Sequence, residues 1–291
     1  MKTRLAQALF RSWPLPFAHV RLMKWIDPPR VPAAEVTTEL RRYGLKLSYD
    51  PNSYIGRYIY YRGLFEEQVL RAIERALRPG GSFIDIGANI GQHTVVAAHC
   101  VGAGGQVIAF EPQALVRERL LHNVALNNQQ GVVQVHGCAL GRERAPGYIF
   151  TLNDNNDGQS SLQPVTHAEP REAVKIETLD GMDLGIDARR GCVIKIDVEG
   201  GEIDVLDGAT DFIRSVRPQA LFVECADRHL QRFGHSGLDV QQWLRDHNYD
   251  VQGLVHGRWQ PLHRAIDCDL LATPRKPSRK PSRKPTRKSS H

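Results

Sequence analysis

Residues 192–202 read CVIKIDVEGGE, and three ionisable side chains fall at alternate positions: Lys195, Asp197 and Glu199. Side chains alternate between the two faces of an extended strand. These three therefore share one face, and Ile194, Ile196 and Val198 share the other. Charges on a central strand are costly unless paired or solvated, so they are expected to emerge at its carboxyl end. A carboxylate placed there can orient an acceptor hydroxyl and take its proton. Asp197 is the first candidate for that role. Lys195 is expected to hold it in place, or else to pair with Glu224, which ends the apolar run ALFVE. The competing reading is an ion-pair cluster that only holds the sheet together. His93 and His136 are alternative bases. Asp197 and Glu224 by themselves do not make an octahedral ligand set, so no metal is assigned.

A second group of residues lies in GSFIDIGANIGQHTVVA, residues 81–97. An apolar run carries Asp85 into a turn with glycines spaced G-x-x-x-G, Gly87 and Gly91. A dinucleotide site expects G-x-G-x-x-G with a pyrophosphate at the helix N-terminus. The spacing differs here, and Asp85 would repel a phosphate. S-adenosylmethionine makes the opposite demand: it carries an ammonium and a sulfonium and no phosphate. The next apolar run, VIAFEP, ends in Glu111, 24 positions past Gly87. A carboxylate there can accept both hydroxyls of a ribose. Glu111 alone suits NAD equally well; Asp85 and the loop spacing favour S-adenosylmethionine. Asn89, in the turn, and Asn127 are candidates to hydrogen-bond the cofactor or to cap local backbone.

The elements that must position these residues alternate. Residues 64–77 have the apolar spacing of an amphipathic helix, ended by Pro79-Gly80-Gly81. SFIDIG, QVIAFE, VVQVHGCAL, CVIKIDV and ALFVEC read as strands. Helices are expected from Ile90 to Cys100, Ala114 to Leu126, Glu202 to Arg214 and Asp239 to His247. YDVQGLV and DCDLLAT close the series as a pair of strands. Near-continuous apolar strands alternating with helices predict an α/β fold: a mostly parallel sheet with helices on both faces. Ligands of such sheets bind at the carboxyl ends of the strands. Residues 147–179 interrupt the alternation and read as an inserted hairpin with a polar tip, placed to sit over a cleft.

Taken in order, FIDIGANIGQHTVVAA, VIAFEPQALVRERLLHNVALN, VHGCALG, ETLD and VIKIDVEGGEIDVLDGA with RPQALFVE resemble the FkbM family of S-adenosylmethionine-dependent methyltransferases over about residues 60–270. The resemblance implies a Rossmann-like class I methyltransferase sheet of seven strands with the last one antiparallel. It also implies O-methylation of a hydroxyl on a small molecule, sugar or glycan. Cys138 falls in the general region where such enzymes place a residue near the adenine. The cofactor set is then Asp85, Gly87, Asn89, Gly91, Glu111 and Cys138. The catalytic set is Asp197, Lys195 and Glu224, and Glu199, Ser160, Ser161 and His93 are candidates to touch substrate.

Composition sets the outer limits. With 41% hydrophobic and 24% charged residues, the 291-residue chain is ordinary for a soluble globular protein. The net charge of +6 belongs to the C-terminus: residues 274–291 hold eight of the 38 Lys and Arg and no acid, which leaves the body with 30 basic and 32 acidic residues. That PRK-PSRK repeat cannot build a core and is expected to be disordered. It suits an anionic polymer or a membrane surface. Five widely spaced cysteines without a CxxC pair predict reduced core thiols and a cytoplasmic protein. The domain division expected is an arm over 1–60, a methyltransferase domain over 61–273 and the tail. The arm mixes Trp13, Phe17 and Trp25 with basic residues and suits packing on the domain, on a sister subunit in a homo-oligomer, or on a membrane. Two rival functions stay open: a nucleic-acid methyltransferase using the tail, and a non-catalytic module that binds S-adenosylmethionine. The first lacks the N/D-P-P-Y/F ending that suits flipped bases.

Overall fold

A computed structural model describes Gln7 and residues 30–151, 160–163, 170–262 and 267–275. The aromatic leader, the tip of the insertion and nearly all of the basic tail lie outside the described residues. In chain order the elements are β1 (Val36–Leu40), β2 (Leu45–Tyr49), α1 (Tyr54–Arg62), α2 (Glu67–Ala76), β3 (Ser82–Ile86), α3 (Gln92–Val101), β4 (Gln106–Phe110), α4 (Ala114–Leu126), β5 (Val133–His136), β6 (Ala139–Leu140), β7 (Ala145–Thr151), β8 (Ser160–Ser161) and β9 (Pro170–Glu177). They continue as β10 (Cys192–Ile196), α5 (Glu202–Asp207), α6 (Thr210–Val216), β11 (Ala220–Val223), α7 (Asp227–Leu230), α8 (Gly237–Asp246), β12 (Tyr249–Val255), β13 (Arg258–Pro261) and β14 (Leu270–Pro274).

The main sheet runs β13-β12-β14-β11-β10-β3-β4-β5. Strands β5, β4, β3, β10 and β11 are parallel, and β14 inserts antiparallel between β11 and β12. Seven of these strands are the expected doubly wound sheet with its last strand reversed. The eighth, β13, folds back from β12 as an edge hairpin. Alternation assigns the two faces. Ile84, Ile86, Ile194 and Ile196 pack with Leu206, Ile213 and Leu244 of α5, α6 and α8. Phe83, Val107 and Val193 pack with Ile73 and Ala97 of α2 and α3 on the other side. Lys195 is in register with Asp85 on the adjacent strand, so the two share that second face.

Several expected elements change shape for local reasons. The helix expected over 64–77 starts at Glu67, because Glu66 adopts a left-handed backbone (φ 47°). The carboxamide of Gln92 clasps the peptide groups of Phe65, accepting from its N–H (2.8 Å) and donating to its C=O (2.7 Å). VVQVHGCAL divides into β5 in the main sheet and β6 in a second sheet of order β6-β9-β7-β8. The helix expected over 202–214 is broken at Gly208, where a Cβ would lie 2.0 Å from the Gly141 carbonyl oxygen. That close approach ties the helix pair to the root of the insertion.

Residues 36–62 pack on the main sheet's helices. Leu47, Tyr49 and Ile59 are fully buried and pack with α3 and α4. Asn123 on α4 and Asn127, which caps its C-terminus one turn later, face the free edge of β2. Asn123 accepts from Ser48 N–H (2.7 Å) and donates to Ser48 C=O (3.0 Å), and Asn127 does the same for Lys46 (2.8 and 2.7 Å). One helical turn rises about 5.4 Å and two strand residues about 6.7 Å, so the spacings match closely enough for two carboxamides to imitate a neighbouring strand. Asn127 is therefore committed to the fold and not to a cofactor. Asn123 also donates to Ile90 C=O (2.9 Å), next to the ligand loop. Replacing Asn123 by Leu is expected to cost about 3 kcal/mol, since three buried backbone groups lose their partner. A urea melt should show the midpoint drop, and an unchanged midpoint would count against this account.

Candidate active site

A cavity of about 460 Å³ opens where the carboxyl ends of the main strands meet, across the switch between β3 and β10. Its lining comes from the residue after nearly every parallel strand. β3 gives Gly87 and Asn89, β4 gives Glu111, β5 gives Cys138, β10 gives Asp197 and Glu199, and β11 gives Glu224. The insertion closes one side with Ile149, Ser161 and Gln163, and Glu172 of β9 pins it to the start of α4 by accepting from Ala114 N–H (3.0 and 3.1 Å). Ser160 pairs in the β7–β8 ladder.

The part of the cavity after β3 and β4 is built on backbone. Glu111 is buried, and each of its oxygens accepts one amide, from Asn89 and from Gln113 (2.9 Å each). A carboxylate has about four acceptor positions, so one on each oxygen is left for a pair of hydroxyls. Burial pushes the Glu111 carboxyl up to about 7, against the two amides that lower it. Asn89 has a left-handed backbone (φ 51°) and donates from the loop. Gly87 (φ 81°) is obligatory for a different reason from ligand approach: a Cβ there would lie 1.8 Å from the Asp197 carbonyl oxygen. Gly91 (φ 88°) faces Leu120 rather than the cavity, and a Cβ would sit 2.3 Å from its Cδ1.

Asp85 does not line the cavity. It is fully buried under the loop, accepts from Thr94 Oγ1 (2.6 Å), and its Oδ1 has no partner. Burial raises its carboxyl, and Lys195 and Thr94 oppose that rise. Its influence on a cationic ligand is therefore through-space, and Glu111 is the carboxylate that presents hydrogen-bond acceptors. Cys138 is half-buried on the wall, with burial pushing its thiol up, and all five cysteines are free thiols.

The carboxyl ends of β10 and β11 gather the charges. Lys195 Nζ lies 2.7 Å from Asp197 Oδ2, which selects Asp197 over Glu224 as its partner. Burial would lower the Lys195 ammonium, but Asp197, Glu66 and Asp85 outweigh it and raise it. Glu199 departs from strand alternation. Its left-handed backbone (φ 57°) turns the chain, and its carboxylate lies 2.7 Å from Nδ1 of His229. Glu202 folds back to accept from Val198 and Gly200 N–H (3.1 Å each) and so shapes that turn. Burial raises the carboxyls of Glu224 and Glu66 well above their usual range, and neighbouring acids add to the rise. His93 sits behind the site with its Nε2 3.9 Å from Glu66, and His136 stacks on Phe110 at 5.0 Å; neither lines the cavity.

Sequence reasoning missed Glu66 and His229 here. Glu66 fell within the helix expected over 64–77, and His229 lies only five residues after Glu224. It also missed an aromatic shelf. Tyr54, Tyr58 and Phe65 meet edge-to-face at 5.3–6.1 Å, and Tyr54 and Phe65 line the cavity with Phe233.

The strand order and the strand-end carboxylates define a class I, S-adenosylmethionine-dependent methyltransferase domain. The chain belongs to the methyltransferase FkbM domain family, whose model matches residues 85–251. It is 28% identical over 163 residues to the hexuronic acid methyltransferase AglP of Haloferax volcanii, a match covering 52% of this chain and 59% of the relative. It is 30% identical over 154 residues to methyltransferase 1 of Beauveria bassiana, covering 46% of this chain and 60% of the relative. The chain thus spans about three-fifths of the length of these relatives. Among solved structures it is similar to a SAM-dependent O-methyltransferase from Thermotoga maritima, with a TM-score of 0.39 and 13% identity over 75% of this chain and 68% of that one. No helix among the described residues is long and apolar enough to cross a membrane.

The raised carboxyl of Glu111 sets a pH dependence. Between the unfolded value near 4.5 and about 7, the folded chain keeps a proton that the unfolded chain has released. This group's contribution to the stability of the ligand-free protein therefore falls as pH rises through that window. Binding two hydroxyl donors and a cation favours the ionised form. Affinity for S-adenosylmethionine should weaken by nearly tenfold for each pH unit below about 7 and level off above it. Calorimetric titration from pH 5 to 8.5 checks this, with Glu111→Gln expected to bind weakly and to flatten the profile.

Proposed function

We propose that the protein transfers a methyl group from S-adenosylmethionine to a hydroxyl of a carbohydrate or similar polyhydroxylated acceptor. The observation that carries this reading is the composition of the reacting end: Asp197, Glu199, Glu224 and Glu66 line it beside the Tyr54–Phe65 shelf. Carboxylates accept hydrogen bonds from hydroxyls, and aromatic faces cover the apolar C–H faces of a sugar ring. The relative that acts on a hexuronic acid supports the same class of acceptor. Arg228, an exposed guanidinium at the cavity rim, suits an acceptor that also carries a carboxylate.

The fit of the cofactor to this chain rests on Glu111, the loop at Gly87 and Asn89 that lines the cavity beside it, and the acidic wall. When bound, it supplies an electrophilic methyl group on a sulfonium. Asp197 holds the acceptor hydroxyl and takes its proton, and Lys195 fixes that carboxylate. Gly87, packed on the Asp197 carbonyl, keeps the binding loop and the base at a set separation. The acid-rich wall is a poor surface for phosphodiesters, which argues for a carbohydrate over a nucleic acid. Glycan extracts incubated with the protein and isotope-labelled S-adenosylmethionine test the proposal. Label in an alkali-stable O-methyl sugar supports it. Label recovered as an alkali-labile methyl ester, or only in nucleic acid, overturns it.

A further inference from the structure

Asp197 is already engaged by Lys195, which leaves a second group of donors at the same end of the cavity. Nδ1 of His229, Oε2 of Glu199 and a carboxylate oxygen of Glu224 all lie within 4.8 Å of one another. Two connections supply them: Glu199 comes from the turn after β10, and Glu224 and His229 come from the segment after β11, His229 on α7. His229 is 3% exposed. Its Nδ1 approaches Glu199 Oε2 at 2.7 Å and Glu224 Oε2 at 3.7 Å, yet off the line a ring N–H would need, so neither Nδ1 nor Glu224 Oε2 has a hydrogen-bond partner. A buried imidazole nitrogen that faces two carboxylates without an aligned hydrogen bond is costly. The same convergence is what ligands of one ion show: donors about 2.1 Å from a metal and roughly 90–110° apart lie about 3.0–3.4 Å from one another.

The backbone is committed to this arrangement. Glu199 holds its left-handed conformation, and Gly200 (φ 118°) admits no side chain because a Cβ would lie 2.4 Å from the His229 carbonyl oxygen. The turn and α7 are therefore packed directly on each other, which fixes Glu199 against His229. The excess of acids over bases around the cavity adds to the demand for a cation.

We propose that Glu199, Glu224 and His229 bind a divalent first-row transition-metal ion beside Asp197. This deepens the methyl-transfer reading above and rests on it for the ion's role, which is to hold the acceptor hydroxyl and weaken its O–H bond while the proton passes to Asp197. Two carboxylates with one imidazole suit Mn²⁺ or Zn²⁺ better than Mg²⁺, which prefers an all-oxygen shell. Two carboxylates alone could not have shown this from the sequence: the third ligand, His229, declares itself only through α7.

Binding is read without catalysis. Purified full-length protein, free of S-adenosylmethionine, is titrated with Mn²⁺ and followed by electron paramagnetic resonance, with Zn²⁺ and Mg²⁺ as competitors. One Mn²⁺ per chain is expected, displaced by Zn²⁺ and not by equimolar Mg²⁺. Glu224→Gln and His229→Gln should each lose at least about tenfold in Mn²⁺ affinity. Glu199→Gln, at a half-buried position, supplies a further variant should His229→Gln fail to fold. S-adenosylmethionine titrations of each variant report separately on the cofactor end, so loss of the metal and failure of the methyltransferase reading remain distinct results. Absence of stoichiometric Mn²⁺ binding, or binding undiminished in the folded variants, overturns the proposal.

Discussion

Replacing Asp197 by Asn is expected to lower kcat by about 10²- to 10⁴-fold, the range supplied by a positioned general base, while S-adenosylmethionine affinity changes only a few-fold. The substitution keeps the shape of the side chain and removes its ability to take a proton. The carboxylate is in place for that task. It is partly exposed to the cavity, and a nearly buried ammonium, Lys195, holds it at 2.7 Å. If the pair only braces the sheet, the variant should melt earlier but turn over normally once folded. Steady-state rates measured below the melting transition, on protein with an unchanged circular dichroism spectrum, separate the two cases. A loss of less than about tenfold would remove Asp197 from the chemistry.

The second large effect is on folding. Gly87→Ala is expected to destabilise the protein by at least about 3 kcal/mol, because overpacking and left-handed strain act together. The new Cβ would fall 1.8 Å from the Asp197 carbonyl oxygen, and Asp197 N–H is bonded to Ile86 C=O at 3.0 Å, so neither β3 nor β10 can withdraw easily. Gly234→Ala is the control. It has a similar positive φ (78°), in the left-handed helical region, and nothing within 4 Å of the added carbon, so only the conformational strain, about 1–2 kcal/mol, should appear. Equal losses in the two variants, measured by urea denaturation, would show that the contact between the binding loop and the base is not tight.

The sheet was legible because its strands are buried on both faces and so read as apolar runs. The residues following those strands were legible for the same reason: Asp197, Glu111 and Glu224 are acids directly after apolar runs. What could not be read depended on contacts between distant segments. The β1–β2 hairpin is short, and its edge is completed by the side chains of Asn123 and Asn127 rather than by a strand, so no local pattern announced it. Glu66 reaches the cavity only because Gln92, 27 residues from Phe65, interrupts the expected helix. Glu199 looked like the third member of an alternating face until the chain turned at its own positive φ. Asp85 showed the reverse: its burial at the end of an apolar run was expected, but its exclusion from the cavity by the loop above it was not legible.

A crystal structure with S-adenosylhomocysteine puts the whole account at risk in one step. The ribose hydroxyls should lie on the two Glu111 oxygens, with the sulfur directed to the end of the cavity that holds Asp197, Glu199 and Glu224. A nucleoside bound outside this cavity, or bound within it with its ribose turned away from Glu111, would contradict the assignment of both ends.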